Sequence, residues 1–117
     1  MELNQYQKAA LETAVYPKEF KTVYPALGMN GEAGEVADKV KKVIRDSCEL
    51  VRDNTGAIVL SKEKREELAK EVGDVLWYVA TMAYDIGYSL EEIAEMNIRK
   101  LASRKERGKL NGEGDNR

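Results

Sequence analysis

Apolar residues recur at helical spacing along most of the chain, and the intervening positions are mainly polar or charged. This pattern predicts four helices, which cover residues 3–15, 26–46, 62–86 and 90–107. Tyr16-Pro17 should end the first helix, because proline lacks an amide hydrogen and disfavours helix in the residue before it. Ser61 suits the N-cap of the third helix, and Ser89 with Glu92 forms a capping box for the fourth. The pattern therefore predicts an all-α four-helix bundle.

One segment interrupts the helical pattern. Leu50-Val51 and the apolar residues 58–60 flank the turn-forming residues 53–56, which is typical of two short strands around a turn. We therefore expect a small β-hairpin insertion at about 49–60. An isolated hairpin is marginal in water, so it should pack on the bundle or on a partner chain.

The third helix is apolar almost all round between residues 75 and 80, and Trp77 lies nearly opposite its main apolar stripe. A helix of this kind is covered on both faces. A four-helix monomer of this size does not easily do that, so the pattern favours an oligomer with this helix near the interface.

Composition limits the domain organisation and the setting. A chain of 117 residues with 43% hydrophobic and 34% charged residues suits one folded domain. We predict a domain over 1–108 and a flexible, glycine-rich polar tail over 109–117. No signal peptide is visible in residues 1–20, and the apolar run at 75–84 is too short for a membrane span. A cytoplasmic protein with no membrane partner is expected.

Charge and residue types exclude several kinds of chemistry. The net charge is −2, so no general basic field favours a nucleic-acid polymer as partner. The chain has no histidine and one cysteine, Cys48, which excludes Ser-His-Asp triads, His-bound zinc and an intrachain disulfide. Cys48 lies near a helix end without an activating group and is interpreted as structural.

Two acidic pairs are the main candidates for chemistry. Glu32 and Glu35 on the second helix, and Glu71 and Asp74 on the third, have i, i+3 spacing beside an apolar face. Unpaired charge beside a core is costly, so a bound cation would explain four carboxylates there. The alternative is ordinary solvated helix charges, with Glu35 pairing to Lys39 at i+4. The residues alone leave both interpretations open.

The types of ligand that the chain offers limit which metals it could bind. A helical di-iron site of the Glu-x-x-His kind needs histidine, which this chain lacks. Oxygen ligands alone favour Mg²⁺, or Mn²⁺, over zinc, copper or iron. Protein-bound Mg²⁺ commonly shares its ligand sphere with phosphate oxygens, so a polyphosphate is the natural substrate of such a site.

Cations and aromatic residues supply candidate contacts for a nucleotide. Asn97, Lys100 and Arg104 share one stripe of the fourth helix. The two cations there would suit phosphate, or would simply be a solvated helix end that interacts with the helix dipole. Weaker phosphate candidates are Lys39 and Lys42. The residues that could stack on a base, or simply pack, are Tyr16, Tyr24 and Tyr78.

The ordered set of motifs resembles a known family. The set is Glu32-x-x-Glu35, then Glu71-x-x-Asp74 followed by Val75-Leu76-Trp77, then Asn97-x-x-Lys100-Leu101-x-x-Arg104. In this order it is similar to the MazG-like nucleotide pyrophosphohydrolases, members of the all-α NTP pyrophosphatase superfamily. The resemblance covers about residues 3–108, although the 49–60 insertion lengthens the gap between the acidic pairs.

The resemblance implies Mg²⁺-dependent hydrolysis of a nucleoside triphosphate, a dNTP or a non-standard nucleotide, to monophosphate and pyrophosphate. It implies that Glu32, Glu35, Glu71 and Asp74 are metal ligands and catalytic residues, with Glu32 alternatively orienting or deprotonating the attacking water. Asn97, Lys100 and Arg104 would contact the nucleotide or its phosphates. A homodimer, or a tetramer built as a dimer of dimers, is the implied assembly.

Two other functions remain open from sequence. Phosphoribosyl-ATP pyrophosphohydrolase belongs to the same superfamily and cleaves the same type of bond. A helical dimer that binds nucleotide or protein without turnover is the second alternative, and the complete set of four carboxylates argues against it.

Overall fold

The structure is a computed structural model, and it describes residues 1–46 and 51–117. Within these residues the helices are α1 (Leu3–Leu11), α2 (Val23–Asp46), α3 (Lys62–Asp85) and α4 (Leu90–Glu106), with a short 3₁₀ turn at Lys18–Phe20. The prediction of an all-α protein with four main helices is confirmed. The interpretation of Cys48 lies outside the described residues.

The first helix ends at Leu11, four residues before the predicted end at residue 15. The next amides bond three residues back: Thr13 N donates to Ala10 O at 3.1 Å and Ala14 N to Leu11 O at 3.1 Å. The Thr13 hydroxyl also bonds to Ala10 O at 3.0 Å and accepts from Trp77 Nε1 at 2.9 Å. Such side-chain bonds compete with the helical ladder, so a tertiary contact accompanies the earlier helix end.

The second helix begins at Val23, three residues earlier than predicted. Pro25 is fully buried and occupies the first turn, where amide hydrogens have no helical partner and proline is tolerated. Thr22 precedes the helix in the left-handed region with φ 70°, an uncommon conformation for a β-branched residue. Its carbonyl accepts from Ala26 N at 3.1 Å and so continues the first turn.

Asp85 fixes the connection between α1 and α2 from the end of α3. Its Oδ2 accepts from Tyr16 Oη at 2.8 Å and from Thr22 N at 2.8 Å. Tyr16 also stacks on Tyr24, with ring centroids 4.9 Å apart. Burial, then the hydrogen bond to Asp85, raises the pKa of Tyr16 to about 12.

The predicted caps of the last two helices are present. Ser61 Oγ accepts from Lys64 N at 3.2 Å. Ser89 and Glu92 form the full capping box: Ser89 Oγ accepts from Glu92 N at 3.1 Å and Glu92 Oε2 accepts from Ser89 N at 2.7 Å. Gly87, with φ 86°, follows α3 in the left-handed conformation that glycine adopts without strain.

The region of the expected hairpin folds back on itself through one antiparallel bridge, between Arg52 and Ile58. Val59 N donates to Val51 O at 2.8 Å. No strand forms among residues 51–60, and residues 49 and 50 of the expected hairpin lie outside the described part. The hairpin at 49–60 stays a prediction.

The tail over residues 109–117 returns toward the end of α4, where Arg117 donates to Lys109 O at 3.2 Å and to Leu110 O at 3.0 Å. Its expected flexibility concerns motion and stays a prediction, as does the domain boundary at residue 108. Of the described helices, none has both the length and the apolar character needed to cross a membrane.

The core lies where α1 crosses the junction of α3 and α4. Its buried cluster consists of Ala10, Ala80 and Leu90, with Trp77 packed at its margin. The packing partners of α3 are α2 and, less extensively, α1 and α4. Because the Trp77 indole is bonded to Thr13, two residues beyond α1, the position of Trp77 alone is not evidence for a partner chain.

Gln7 is the polar centre of this core and is only 7% exposed. Its Nε2 donates to Ala80 O at 3.1 Å and to Tyr88 O at 3.1 Å. Its Oε1 accepts from Leu90 N at 3.0 Å, an amide of the first turn of α4 that has no helical partner. One side chain of α1 therefore joins the end of α3 to the start of α4.

Replacing Gln7 by leucine should destabilise the fold, because Leu90 N–H and two carbonyl groups lose a partner. We expect the free energy of unfolding to fall by about 1–3 kcal/mol. Asn4→Ala is the control, since Asn4 makes a similar pair of bonds to Glu91 on the exposed surface. It should cost less than about 1 kcal/mol. Urea unfolding measures both, and equal losses would contradict the role of Gln7.

The Tyr16 bond should make stability depend on alkaline pH. The pKa of Tyr16 is about 12 in the folded protein, against 10.0 for an unperturbed tyrosine. Because the folded state holds this proton more tightly, the stabilisation is complete below about pH 10 and is lost as the pH rises to about 12. Urea unfolding across this range should show a steeper loss for wild type than for Tyr16→Phe. Parallel pH profiles would exclude this contribution.

Candidate metal centre

Three carboxylates converge where α2 packs against α3. One oxygen from each of Glu32, Glu71 and Asp74 lies within 4.8 Å of the other two. Glu71 and Asp74 are three residues apart and so lie on the same side of α3, while Glu32 faces them from α2. Glu32 and Glu71 are half-buried and Asp74 is exposed.

The fourth predicted ligand, Glu35, is outside this group. It is exposed, although its charge still contributes to the repulsion felt by Glu32. The structure therefore brings together three of the four predicted carboxylates and leaves Glu35 at the margin.

The cluster is electrostatically unfavourable without a cation. Loss of solvent, then repulsion from Asp74, Glu71 and Glu35, raises the pKa of Glu32 above its ordinary value. One cation offsets part of the charge: Lys39 Nζ lies 3.4 Å from Glu71 Oε1. Lys39 thus crosses to α3, and the alternative pairing with Glu35 on its own helix is not the one observed.

The donor set suits a hard divalent cation. All three groups are carboxylates, and hard cations such as Mg²⁺ and Mn²⁺ prefer oxygen ligands. Oxygens on one Mg²⁺ ion lie within about 4.2 Å of each other, because each is about 2.1 Å from the metal. The observed spread of up to 4.8 Å is close enough for side-chain rotation to close the difference.

Aromatic residues form a wall beside the carboxylates. Glu32 and Asp74 line a cavity together with Thr13, Trp77 and Tyr78. Burial, then interaction with Tyr24, then the charges of Glu32 and Asp74, raises the pKa of Tyr78. Tyr78 therefore lies beside Glu32 and Asp74, and its role in nucleotide binding stays a prediction. Stacking on a base stays a prediction.

Three further residues near the cluster were not predicted from sequence to be site residues. Trp77 follows Asp74 by three residues, and that spacing could have placed it on the same side of α3. Thr13 and Tyr6 come from the N-terminal part of the chain, and Tyr6 is near enough to Asp74 for that charge, after burial, to raise its pKa. Helical periodicity does not predict which helices are in contact. Nothing in the sequence therefore indicated that Thr13 and Tyr6 lie near the carboxylates.

The candidates on α4 have different surroundings. Asn97 is exposed, Lys100 is half-buried and Arg104 is buried. Lys100 and Arg104 both contact Asp115 of the tail. None of the three lines the cavity that contains Glu32 and Asp74.

Comparison with known proteins identifies the family. The sequence profile of the MazG nucleotide pyrophosphohydrolase domain matches residues 21–108, which is most of the chain. The chain belongs to this family. Membership in the MazG family supports a nucleotide pyrophosphohydrolase, a hydrolase that uses a divalent metal, as the general type of protein.

Two relatives extend the comparison. The chain is 42% identical over 123 residues to the gene 37 protein of Mycobacterium phage L5, and the match covers 100% of both chains. It is 36% identical over 74 residues to the uncharacterized protein YvdC of Bacillus subtilis (strain 168), covering 62% of this chain and 65% of that protein. No solved structure matches significantly. The MazG match begins after α1, whereas the phage relative aligns with α1 as well.

Gly28 allows the ring of Tyr78 to approach α2. A Cβ atom at Gly28 would overlap this ring, at only 2.6 Å from Cδ1 and closer still to two other ring atoms. Gly31, one turn further on, has no heavy atom within 4 Å of the corresponding position. A close approach to the first turns of α2 therefore exists at Gly28, and it involves a side chain.

These two glycines make a matched pair of variants. Alanine at either position gains up to about 1 kcal/mol of helix propensity, and only Gly28→Ala forces the Tyr78 ring to move. We expect Gly28→Ala to be less stable than Gly31→Ala by about 1–3 kcal/mol, the usual cost of overpacking. Thermal and urea unfolding measure the difference, and equal stabilities would show that the ring is not held against α2.

Proposed function

We propose that this protein hydrolyses nucleoside triphosphates, either dNTPs or non-standard nucleotides, to monophosphate and pyrophosphate with bound Mg²⁺. The observation that carries the proposal is the convergence of Glu32, Glu71 and Asp74 in a chain of the MazG family. A cavity with an aromatic wall lies directly beside these carboxylates. This arrangement supports a polyphosphate at the acidic side and a base at the aromatic side.

The metal would be held by Glu32, Glu71 and Asp74. Glu35 would become a fourth ligand only if its side chain turned toward this group. Mn²⁺ would suit the same oxygens. When bound, the cation would neutralise charge on the phosphate oxygens and make the phosphorus more susceptible to attack by water. The alternative role for Glu32, to orient or deprotonate that water, requires a carboxylate within hydrogen-bond reach of it.

Lys39 beside the cluster and the aromatic residues of the cavity would bind and orient the nucleotide. Lys39 is held at the cluster by Glu71, and its ammonium group could transfer to a phosphate once a cation neutralises that carboxylate. Tyr78 and Trp77 present aromatic surface on which a base could stack.

A homodimer, or a tetramer made of two dimers, is part of the proposal. The radius of gyration is 17.6 Å, whereas a compact chain of this length has about 13 Å. Large apolar side chains on the two long helices are also exposed, among them Leu27 (71%), Val72 (55%) and Ile44 (54%). A partner chain would cover them. It would also offer a second α4, whose Asn97, Lys100 and Arg104 could reach the phosphates.

Glu71→Gln tests the proposed site. The substitution removes one carboxylate charge and the partner of Lys39. Hydrolysis should fall at least about 100-fold, since even groups that only support metal ligands are worth 10- to 100-fold. Glu63→Gln is the control, because it makes the same change in charge at an exposed position of the same helix. It should leave hydrolysis unchanged.

The assay should measure pyrophosphate and monophosphate from each dNTP, from non-standard triphosphates and from phosphoribosyl-ATP, with Mg²⁺ and with a chelator. Selective cleavage of phosphoribosyl-ATP would assign the related activity instead. Binding of nucleotide without release of pyrophosphate would support the non-catalytic alternative. Full activity of Glu71→Gln would show that the carboxylate cluster is not the site.

A further inference from the structure

Arg104 is a buried cation in the last turn of α4. It is only 5% exposed, and its guanidinium group stays charged at all ordinary pH values. A buried charge needs a partner that offsets the loss of hydration. Asp115 in the tail is that partner: Arg104 Nη2 donates to its main-chain oxygen at 2.6 Å and to its Oδ1 at 3.1 Å.

A second cation shares the same carboxylate oxygen. Lys100 lies one helical turn before Arg104, and its Nζ donates to Asp115 Oδ1 at 3.0 Å. Two positive charges therefore face one negative charge. The two cations, first through hydrogen bonds, hold the pKa of Asp115 below its ordinary value.

The cations and their partner differ in how firmly they are held. The side chain of Arg104 is 6% exposed and that of Asp115 is 80% exposed. Packing fixes the guanidinium group, whereas the carboxylate reaches it from the surface. The cation pair thus resembles a binding site, and Asp115 resembles a ligand that can leave.

Asp115 leaves part of this site unused. The Nε and Nη2 atoms of arginine form one edge of the guanidinium plane, which suits two oxygens of a carboxylate or a phosphate. In Arg104 the Nη2 atom is occupied, while Nε is buried and has no hydrogen-bond partner among the described residues. A phosphate offers more oxygens and more negative charge than the single Oδ1 of Asp115.

The tail is built mainly from exposed hydrogen bonds. Gly112 and Gly114 adopt positive φ values of 109° and 83°, which turn the chain back toward α4. Arg117 donates to Gly114 O at 2.7 Å, and Arg107 donates to Arg117 O at 2.8 Å. Its one large apolar residue, Leu110, is half exposed. A segment with so little buried apolar surface opens at low free-energy cost.

We propose that the 109–117 tail is an internal competitor at the anion site formed by Lys100 and Arg104. The Asp115 carboxylate fills the site in the free protein, and a phosphate group of the nucleotide or of pyrophosphate displaces it. The anion site itself rests on the contacts of Arg104. Its effect on catalysis rests on the proposed function. The apparent affinity for phosphate is then the intrinsic affinity multiplied by the fraction of molecules in which the tail is open.

Binding of inorganic pyrophosphate in the presence of a chelator tests the site without any turnover. Asp115→Ala should bind pyrophosphate about tenfold more tightly than wild type, which corresponds to about 1.4 kcal/mol. Glu113→Ala is the matched control: it removes the same charge from the tail, and no ion pair of Glu113 occurs among the described residues. It should bind like wild type. Titration calorimetry on the full chain measures all three.

A third variant tests whether the gain in pyrophosphate affinity depends on Lys100. Lys100→Ala combined with Asp115→Ala should lose the gain in affinity, because the cation that the phosphate needs is absent. Lys100 is only half-buried, so this variant should keep the fold. Equal pyrophosphate affinity for wild type and Asp115→Ala would overturn the proposal. So would a gain that Glu113→Ala shares, or one that persists without Lys100.

Kinetics separates this inference from the proposed function. If the enzyme hydrolyses triphosphates, Asp115→Ala should lower KM and leave kcat unchanged. Tighter pyrophosphate binding by Asp115→Ala in a protein that hydrolyses no triphosphate would support the tail competitor and reject the proposed function. Triphosphate hydrolysis with unchanged KM and unchanged pyrophosphate affinity would reject only the tail competitor.

Discussion

The packing of α2 against α3 is the constraint on which the candidate site depends. It brings one oxygen of Glu32 within 4.8 Å of oxygens of Glu71 and Asp74, and carboxylates at that distance repel one another. Apolar contact between the helices must outweigh this repulsion. Gly28 assists, since its missing side chain makes room for the Tyr78 ring. The carboxylates of the site therefore repel one another in the folded protein, and binding of a cation would relieve this repulsion.

The N-terminal helix α1 contributes to the structure outside the contact between α2 and α3. The amide group of Gln7 bonds to α3, to the α3–α4 connection and to the first turn of α4, so this junction is held by a residue outside the family match. Thr13, just beyond α1, bonds to Trp77 on the cavity wall. The short helix thus supports both the frame of the bundle and one side of the site, which explains why a nine-residue helix is integral to the fold.

Features encoded in local spacing could be predicted from sequence, and features that depend on contact between distant segments could not. The i, i+3 spacing of Glu71 and Asp74 fixed their common direction, and the capping residues marked where α3 and α4 begin. The end of α1 was predicted four residues too late, and the bond between Thr13 and Trp77 that accompanies the earlier end leaves no mark on helical spacing. The contact of Arg104 with Asp115 was equally invisible, since helical periodicity carries no information about where a tail returns. Glu35 shows a further limit of prediction from sequence. Helical spacing predicts the side of a helix on which a residue lies, but not the distance from its side chain to the neighbouring helix.

Trp77 has a consequence for observing this molecule. It is the only tryptophan in the sequence, and its ring borders the cavity that contains Glu32 and Asp74. Its indole N–H is also bonded to Thr13. Intrinsic fluorescence therefore comes from one chromophore that is sensitive to two separate events. A quencher or stacked ring in the cavity changes the emission intensity, whereas detachment of the N-terminal segment hydrates the indole and shifts the emission to longer wavelength.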